Sequence, residues 1–408
     1  MKPLAALCLT AALWGQITPS ETLSLDQCIS VALERHPLIQ ASTDRHQAAV
    51  ARIRQATAFP IPSINFNSDL QPNFGDFVNS EEAYLGVSQM LELPRKRAAR
   101  GKIAEQESRE VETDIELIKL EVIYQVRRAF YELLLAQAKL TYAKQDLELA
   151  EDYLRMAELK LAAGDVARVE VLRARVEALS AANAVRVAVN DGNLAKARLN
   201  YHLARGEGAP VQIVGELQIP FRDLALDDLQ AEALRLRPEL RRLRHSLERE
   251  NLVQVRARLS NLPDLDFNVS RHRLEGYPTT WSFTVGAPLP FLFQQRQKAE
   301  ITESQANARS LRREFEQSRN TILVEVEEAH TRAQKARDEI LLYQTEILPQ
   351  AQEVLEMLSF AYQEGEIGGI ELIEARRTLN TSRRIYADAQ FEYALAIATL
   401  AKAVGRRP

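Results

Sequence analysis

Aromatic residues make up only 6% of the 408 positions, and cysteine occurs twice, at Cys8 and Cys28. Cys8 lies in an N-terminal apolar run, so the rest of the chain holds one thiol and no intrachain disulfide. The six histidines, His36, His46, His202, His245, His272 and His330, are scattered without ligand spacing, so no metal site is expected. There is no Gly-rich phosphate loop, no nucleophile elbow and no paired-acid cleft; the chain does not read as an enzyme, and no cofactor is assigned. An excess of one charge is missing too. The 52 Lys and Arg are interspersed with 56 Asp and Glu for a net charge of −4, which gives nucleic acid nothing to bind. Beyond the run Leu4–Trp14, no stretch reaches the ~20 apolar residues that a membrane-spanning helix needs.

What is present begins with that run. Lys2 followed by Leu4–Trp14 and then polar residues reads as a signal peptide over 1–20, cut between about Gly15 and Glu21. Leu7 and Cys8 sit inside the run without a lipobox, so the chain reads as unacylated. From Val122 to Leu161 a heptad seam follows. Leu recurs at Leu133, Leu140, Leu147, Leu154 and Leu161, and Ala at Ala129, Ala136, Ala143, Ala150 and Ala157. Alanine every seventh residue lets a partner helix approach closely along the whole length. Helix formers extend the element over about 98–163, on the order of 100 Å at ~1.5 Å per residue, longer than an ordinary globular domain uses.

The chain repeats itself. Leu25, Asp26, Ala32, Leu33, Pro37, Pro62, Phe66 and Asn67 recur at Leu226, Asp227, Ala233, Leu234, Pro238, Pro263, Phe267 and Asn268. Met156, Gly164, Glu170, Ala174, Arg175 and Leu199 recur at Met357, Gly365, Glu371, Ala375, Arg376 and Leu400, each pair 201 positions apart as in 164 and 365. The first repeat, 21–210, reads as helices over 25–58, a β-hairpin over 61–93, the long helix over 98–163 and a return helix over 168–204. The second, 211–408, reads as a short strand over 211–217, helices over 226–259, a hairpin over 263–291, a long helix over 297–364 and a return helix over 369–404.

The hairpins alternate apolar with polar residues. Leu265, Phe267 and Val269 oppose Asp266, Asn268 and Ser270, and Trp281, Phe283 and Val285 oppose Ser282, Thr284 and Gly286. Four strands cannot close a barrel, so open edges demand other copies, and aromatics outward suit a lipid-facing wall. Eight strands from a dimer or twelve from a trimer would close, and the pattern does not choose between them. A periplasmic coiled-coil scaffold without transport is the other reading, but a scaffold has no use for Trp281, Phe283 and Phe267 alternating with Ser282 and Asn268.

With that order of elements, and with Leu161-Ala162-Ala163-Gly164 before Val169-Glu170-Val171-Leu172 and Tyr362-Gln363-Glu364-Gly365 before Ile370-Glu371-Leu372-Ile373, the chain resembles the TolC family of outer-membrane efflux channels from about Leu25 to Gly405. The resemblance implies a mainly α fold with a small β part: duplicated long helical hairpins forming an α-barrel tube, and two β-hairpins giving four strands to a trimeric transmembrane β-barrel. It implies a homotrimer in outer-membrane lipid of a Gram-negative cell, extending into the periplasm. It further implies a periplasmic adaptor, an inner-membrane pump of the RND or ABC type, and passive conduction in a tripartite efflux or type I secretion-like system. The tips formed by Gly164, Val169, Val171, Leu172, Gly365, Ile370, Leu372 and Ile373 would dock the adaptor, although glycine at a tight helix reversal has its own conformational reason. Glu371 and Glu374, three apart on one helix face, would form carboxylate rings at the pore constriction beside Tyr362 and Ile367, although acids near a helix start are also favoured by the helix dipole. Ile367 stands where some relatives have a basic residue that helps lock the closed state, so apolar packing around Tyr362 and Ile367 is expected to hold it.

Overall fold

Proline sets where the helices begin and break. The computed structural model describes residues 22–69, 71, 73–75, 80–206, 208–221, 225–292 and 294–406; the expected signal peptide at 1–20 lies outside the described residues. In chain order the elements are β1 (Thr22–Leu23), α1 (Leu25–Arg35), α2 (Pro37–Thr57), β2 (Ser63–Asp69), β3 (Glu82–Leu91), α3 (Pro94–Ala163), α4 (Arg168–His202), β4 (Gln212–Ile213), α5 (Leu226–Leu236), α6 (Pro238–Leu259), β5 (Leu265–Leu274), β6 (Thr280–Gly286), α7 (Gln295–Leu342), α8 (Leu348–Glu364) and α9 (Gly369–Val404). His36 and Arg237, each before a proline, are extended at φ −65, ψ 123 and φ −57, ψ 123, so each early helical region is two helices. The long helix starts at Pro94 rather than near 98, because proline at the first turn gives up only an N–H that has no intrahelical partner.

α3 has 70 residues without a break. Its copy, Gln295–Glu364, opens into a π-helical turn at Tyr343–Ile347 just before Pro349. Proline has no N–H for the carbonyl four residues back and its ring crowds that turn, so the ladder widens. The matching position of α3 is Glu148, and there the helix continues.

The chain divides into two compact units that cut across the sequence repeat. One holds the described residues of 1–36, 122–222 and 331–398. Its core follows the alanine seam: Ala150 and Ala157 are fully buried, whereas Leu147, Leu154 and Leu161 are half-buried. Here the Ala positions lie against a neighbouring helix and most of the Leu positions remain partly open. β1 and β4 pair in parallel, Thr22 with Gln212 and Leu23 with Ile213, so the strand expected over 211–217 is two residues long.

The other unit holds the described residues of 37–121, 223–330 and 399–408. Arg237 ties its helices together: it bonds the Ala403 carbonyl at 3.2 Å near the end of α9 and meets Glu239 at 2.8 Å and Glu325 at 2.9 Å. A cation suits a helix C-terminus because it faces free carbonyls. The same unit carries an antiparallel sheet in the order β2-β3-β5-β6. Its register sorts the side chains by face, since alternate residues point to opposite sides. Ile64, Val87, Val269 and Phe283 form one row, and Phe66, Leu85, Arg271 and Trp281 the next, on a face whose apolar members are exposed. The opposite face is polar. Ser63 and Ser88 hydroxyls lie 2.7 Å apart, Ser270 and Ser282 hydroxyls 2.6 Å, and Glu82 accepts from Tyr84 at 2.5 Å with His272 Nε2 at 2.8 Å. Among the described residues β2 pairs only with β3 and β6 only with β5, leaving both outer edges open. Where strands give way to helix, Lys96 bonds Asp264 at 2.8 Å and the Leu262 carbonyl at 2.6 Å, joining α3 to the start of β5.

Candidate functional site

The two helix reversals of the first unit are built alike. Gly164 has φ +86 and Gly365 φ +82, and in each the next residue's N–H reaches back five positions, Asp165 to Lys160 at 2.9 Å and Glu366 to Ala361 at 2.9 Å. A left-handed residue that ends a helix this way satisfies carbonyls otherwise left bare, and glycine adopts it without steric cost.

Between the reversals lies a core of Tyr153 and Ala157 from α3, Val171 and Ala174 from α4, Leu355 and Tyr362 from α8, and Leu372, Ile373 and Leu379 from α9. Tyr362 is 1% exposed, meets Tyr153 edge-on at 5.4 Å and donates its phenol to Glu170 Oε1 at 2.8 Å. Burial pushes the Tyr153 phenol up to about 12, with Glu170 adding to it; burial and then the Glu170 bond raise Tyr362 as well. Both stay neutral at any physiological pH. Lys160 lies 5.2 Å from the Tyr362 ring and bonds the Gln363 carbonyl at 3.2 Å, joining one reversal to the other. Gly369, first residue of α9, is buried so tightly that a Cβ there would lie 2.0 Å from the Tyr153 oxygen.

Two turns along α9, Arg376 is 5% exposed and bridges two carboxylates, Asp146 of α3 at 3.0 Å and Glu177 of α4 at 2.5 Å. Burial raises the Asp146 carboxyl and the Arg376 charge opposes that rise. Arg377 also bonds Glu177 from the surface. A guanidinium shared by two buried acids holds three helices at one point.

The expected site residues sort by exposure. Gly164, Gly365, Val169, Leu172 and Ile370 are exposed at the reversals, whereas Val171, Leu372 and Ile373 face the core and steady those that are exposed. Glu371 and Glu374 are exposed on one face of α9; Ile367 is half-buried against the core that holds Tyr362. The tie on Tyr362 is a hydrogen bond to Glu170 as well as apolar packing. Sequence reasoning missed Tyr153, Lys160, Gly369 and the Arg376 network. Arg175 and Arg376 do recur in the repeat, but no pattern shows that Arg376 is buried while Arg175 is exposed.

Nodulation protein T of Rhizobium leguminosarum bv. trifolii is 25% identical over 256 residues, 60% of this chain and 54% of that protein, so the chain spans about half the length of this curated relative. A membrane protein from Pseudomonas aeruginosa superimposes with a TM-score of 0.80 at 20% identity, over 94% of this chain and 90% of that one. The open state of the Neisseria gonorrhoeae MtrE outer membrane channel gives 0.78 at 17%, over 94% and 89%. At such identities these two establish the fold. The family model for outer membrane efflux proteins matches residues 28–204 and again 229–406, once for each copy of the internal repeat, and the chain therefore belongs to the outer membrane efflux protein family.

Proposed function

We propose that this chain is the outer-membrane channel of a tripartite efflux or type I secretion-like system, a passive conduit without catalysis. The sheet is the observation that carries the reading. One face is mainly apolar and exposed, the other mainly polar, and among the described residues both edges are open. Such a sheet suits lipid on one side and water on the other once neighbouring copies pair its edges, and three copies give twelve strands. A scaffold would need neither the split faces nor the open edges. α4 supports the same assembly, because Val169, Val176, Val187, Leu194 and Tyr201 are exposed along one side at spacings of seven and eleven, a seam for a helix of the next copy.

In this reading the channel stands in the outer membrane of a Gram-negative cell and extends into the periplasm. Val169, Leu172 and Ile370, beside Gly164 and Gly365, meet a periplasmic adaptor, behind which an RND or ABC pump selects the cargo. Glu371 and Glu374 from three copies put six carboxylates around one axis and attract cations. Tyr362 and Ile367 act from behind, fixing the start of α9. The test is reversal potential across a planar bilayer in a salt gradient. Wild type is expected to conduct and prefer cations, and Glu371→Gln with Glu374→Gln to lose most of that preference. A wild-type protein that does not conduct sinks the channel; an unchanged preference in the double variant removes the carboxylates from the constriction.

A further inference from the structure

The outward face of the sheet is mainly apolar; Gln89 lies on it towards the helix ends and Ser68 towards the loop ends, and its two charged residues are Arg271 and Arg273. Arg271 stands in the row Phe66, Leu85, Arg271, Trp281, directly across from Trp281 and Leu85, and Arg273 follows two residues nearer the hairpin loops, across from Ala83. Both arginines are exposed, and among the described residues neither is ion-paired; Arg273 donates to the Ser80 carbonyl at 3.1 Å. Glu81 and Glu275 come further out still, linked through their backbones at 2.8 Å. A charge on the lipid face of a barrel is tolerated only near an interface, where its head group reaches polar partners. The pair lies towards the loop ends of the strands, opposite the ends that join α3 and α6, and therefore faces the outer leaflet if the channel reading is right.

We propose that Arg271 and Arg273 form a binding site for the phosphates of an outer-leaflet glycolipid, with the acyl chains lying over Trp281, Phe283 and Val269. The proposal rests on the channel reading for its orientation. Two guanidinium groups two residues apart on one strand face sit about 6–7 Å apart at their backbones, and each offers a planar fork that matches a phosphate better than an ammonium does. The apolar row below supplies the surface for acyl chains. An inorganic phosphate would gain nothing from that surface, so the lipid, rather than the free anion, is the expected occupant.

Trp281 reports on the site because it is the register partner of Arg271, and once the expected signal peptide over 1–20, which holds Trp14, has been removed it is the sole tryptophan. The experiment titrates detergent-purified protein with lipid A carrying two phosphates, with dephosphorylated lipid A and with inorganic phosphate, following Trp281 emission. The phosphorylated lipid is expected to bind roughly tenfold more tightly than the dephosphorylated one, and Arg271→Gln with Arg273→Gln to erase that ratio. Inorganic phosphate in the same range should leave the emission unchanged. A wild-type ratio near one, a ratio that survives in the glutamine variant, or competition by inorganic phosphate overturns the site. If the glutamine variant does not assemble, Arg271→Lys with Arg273→Lys decides: a weakened ratio supports the fork geometry and an unchanged one overturns it. Conductance of the same wild-type preparation separates the two readings. A conducting channel without phosphate preference loses only the lipid site, and a protein that does not conduct loses the channel reading.

Discussion

Individual residues carry strain and charge that the repeat makes visible. Ala204 is the one described non-glycine with positive φ, at 52, and it closes α4 as Gly405 closes α9. A left-handed alanine costs roughly 1–2 kcal/mol, part of which glycine gives back through its freer unfolded state. Ala204→Gly should therefore stabilise the fold by about 0.5–1 kcal/mol, seen as a higher thermal midpoint. The reverse change at Gly405 is not equivalent, because a Cβ there would come within 3.3–3.4 Å of the backbone at Leu236 and Arg237. Arg376 is the opposite case. Removing it leaves Asp146 and Glu177 side by side, largely buried and without their shared cation, so Arg376→Ala should cost about 3–5 kcal/mol. Arg377→Ala, at an exposed position, should cost less than about 1 kcal/mol. Thermal unfolding of the two variants side by side reads the difference. The Asp146 carboxyl is raised by burial, so its contribution is fully present below the usual Asp value and is lost as pH rises through the folded one. Acidification through that window should therefore not loosen the network at Asp146.

At the scale of elements, Pro349 separates two otherwise matching spans. Pro349→Ala restores the missing donor and should let α7 and α8 run together as α3 does. Amide exchange over Tyr343–Ile347 should then slow, and exchange as fast as in wild type would mean that the π turn has another cause. The long helix α3 and the four strands of the sheet were legible from sequence because each obeys a period, seven for the helical seam and two for the strands, whereas the return helix α4 showed only as an Ala-rich stretch beyond Gly164. The duplication made the second half readable from the first. What stayed hidden was burial within a face. Val171 and Val169 are the same residue type two positions apart, yet one packs on Tyr362 and the other is exposed, because a third helix decides which side of α4 is covered. The Tyr362 to Glu170 bond spans 192 residues and Arg376 to Glu177 spans 199, separations at which no local pattern operates. Gly369 was equally illegible, since its need for room comes from Tyr153 on another helix.

For the whole molecule, the two open edges of the sheet have a genetic consequence. If β6 of one copy is completed by β2 of the next around a closed ring, every chain holds two neighbours in place, and one damaged edge breaks the ring for all three. Thr284→Pro, in the middle of β6, removes a ladder donor and should act in this way. Co-produced in equal amount with the intact chain, and able to join its helices, such a variant would leave about one ring in eight free of the defect, so conducting channels should fall to about that fraction rather than to half. A mutation of this kind would be dominant in a cell that carries both alleles, whereas a variant that never folds its helices would be recessive.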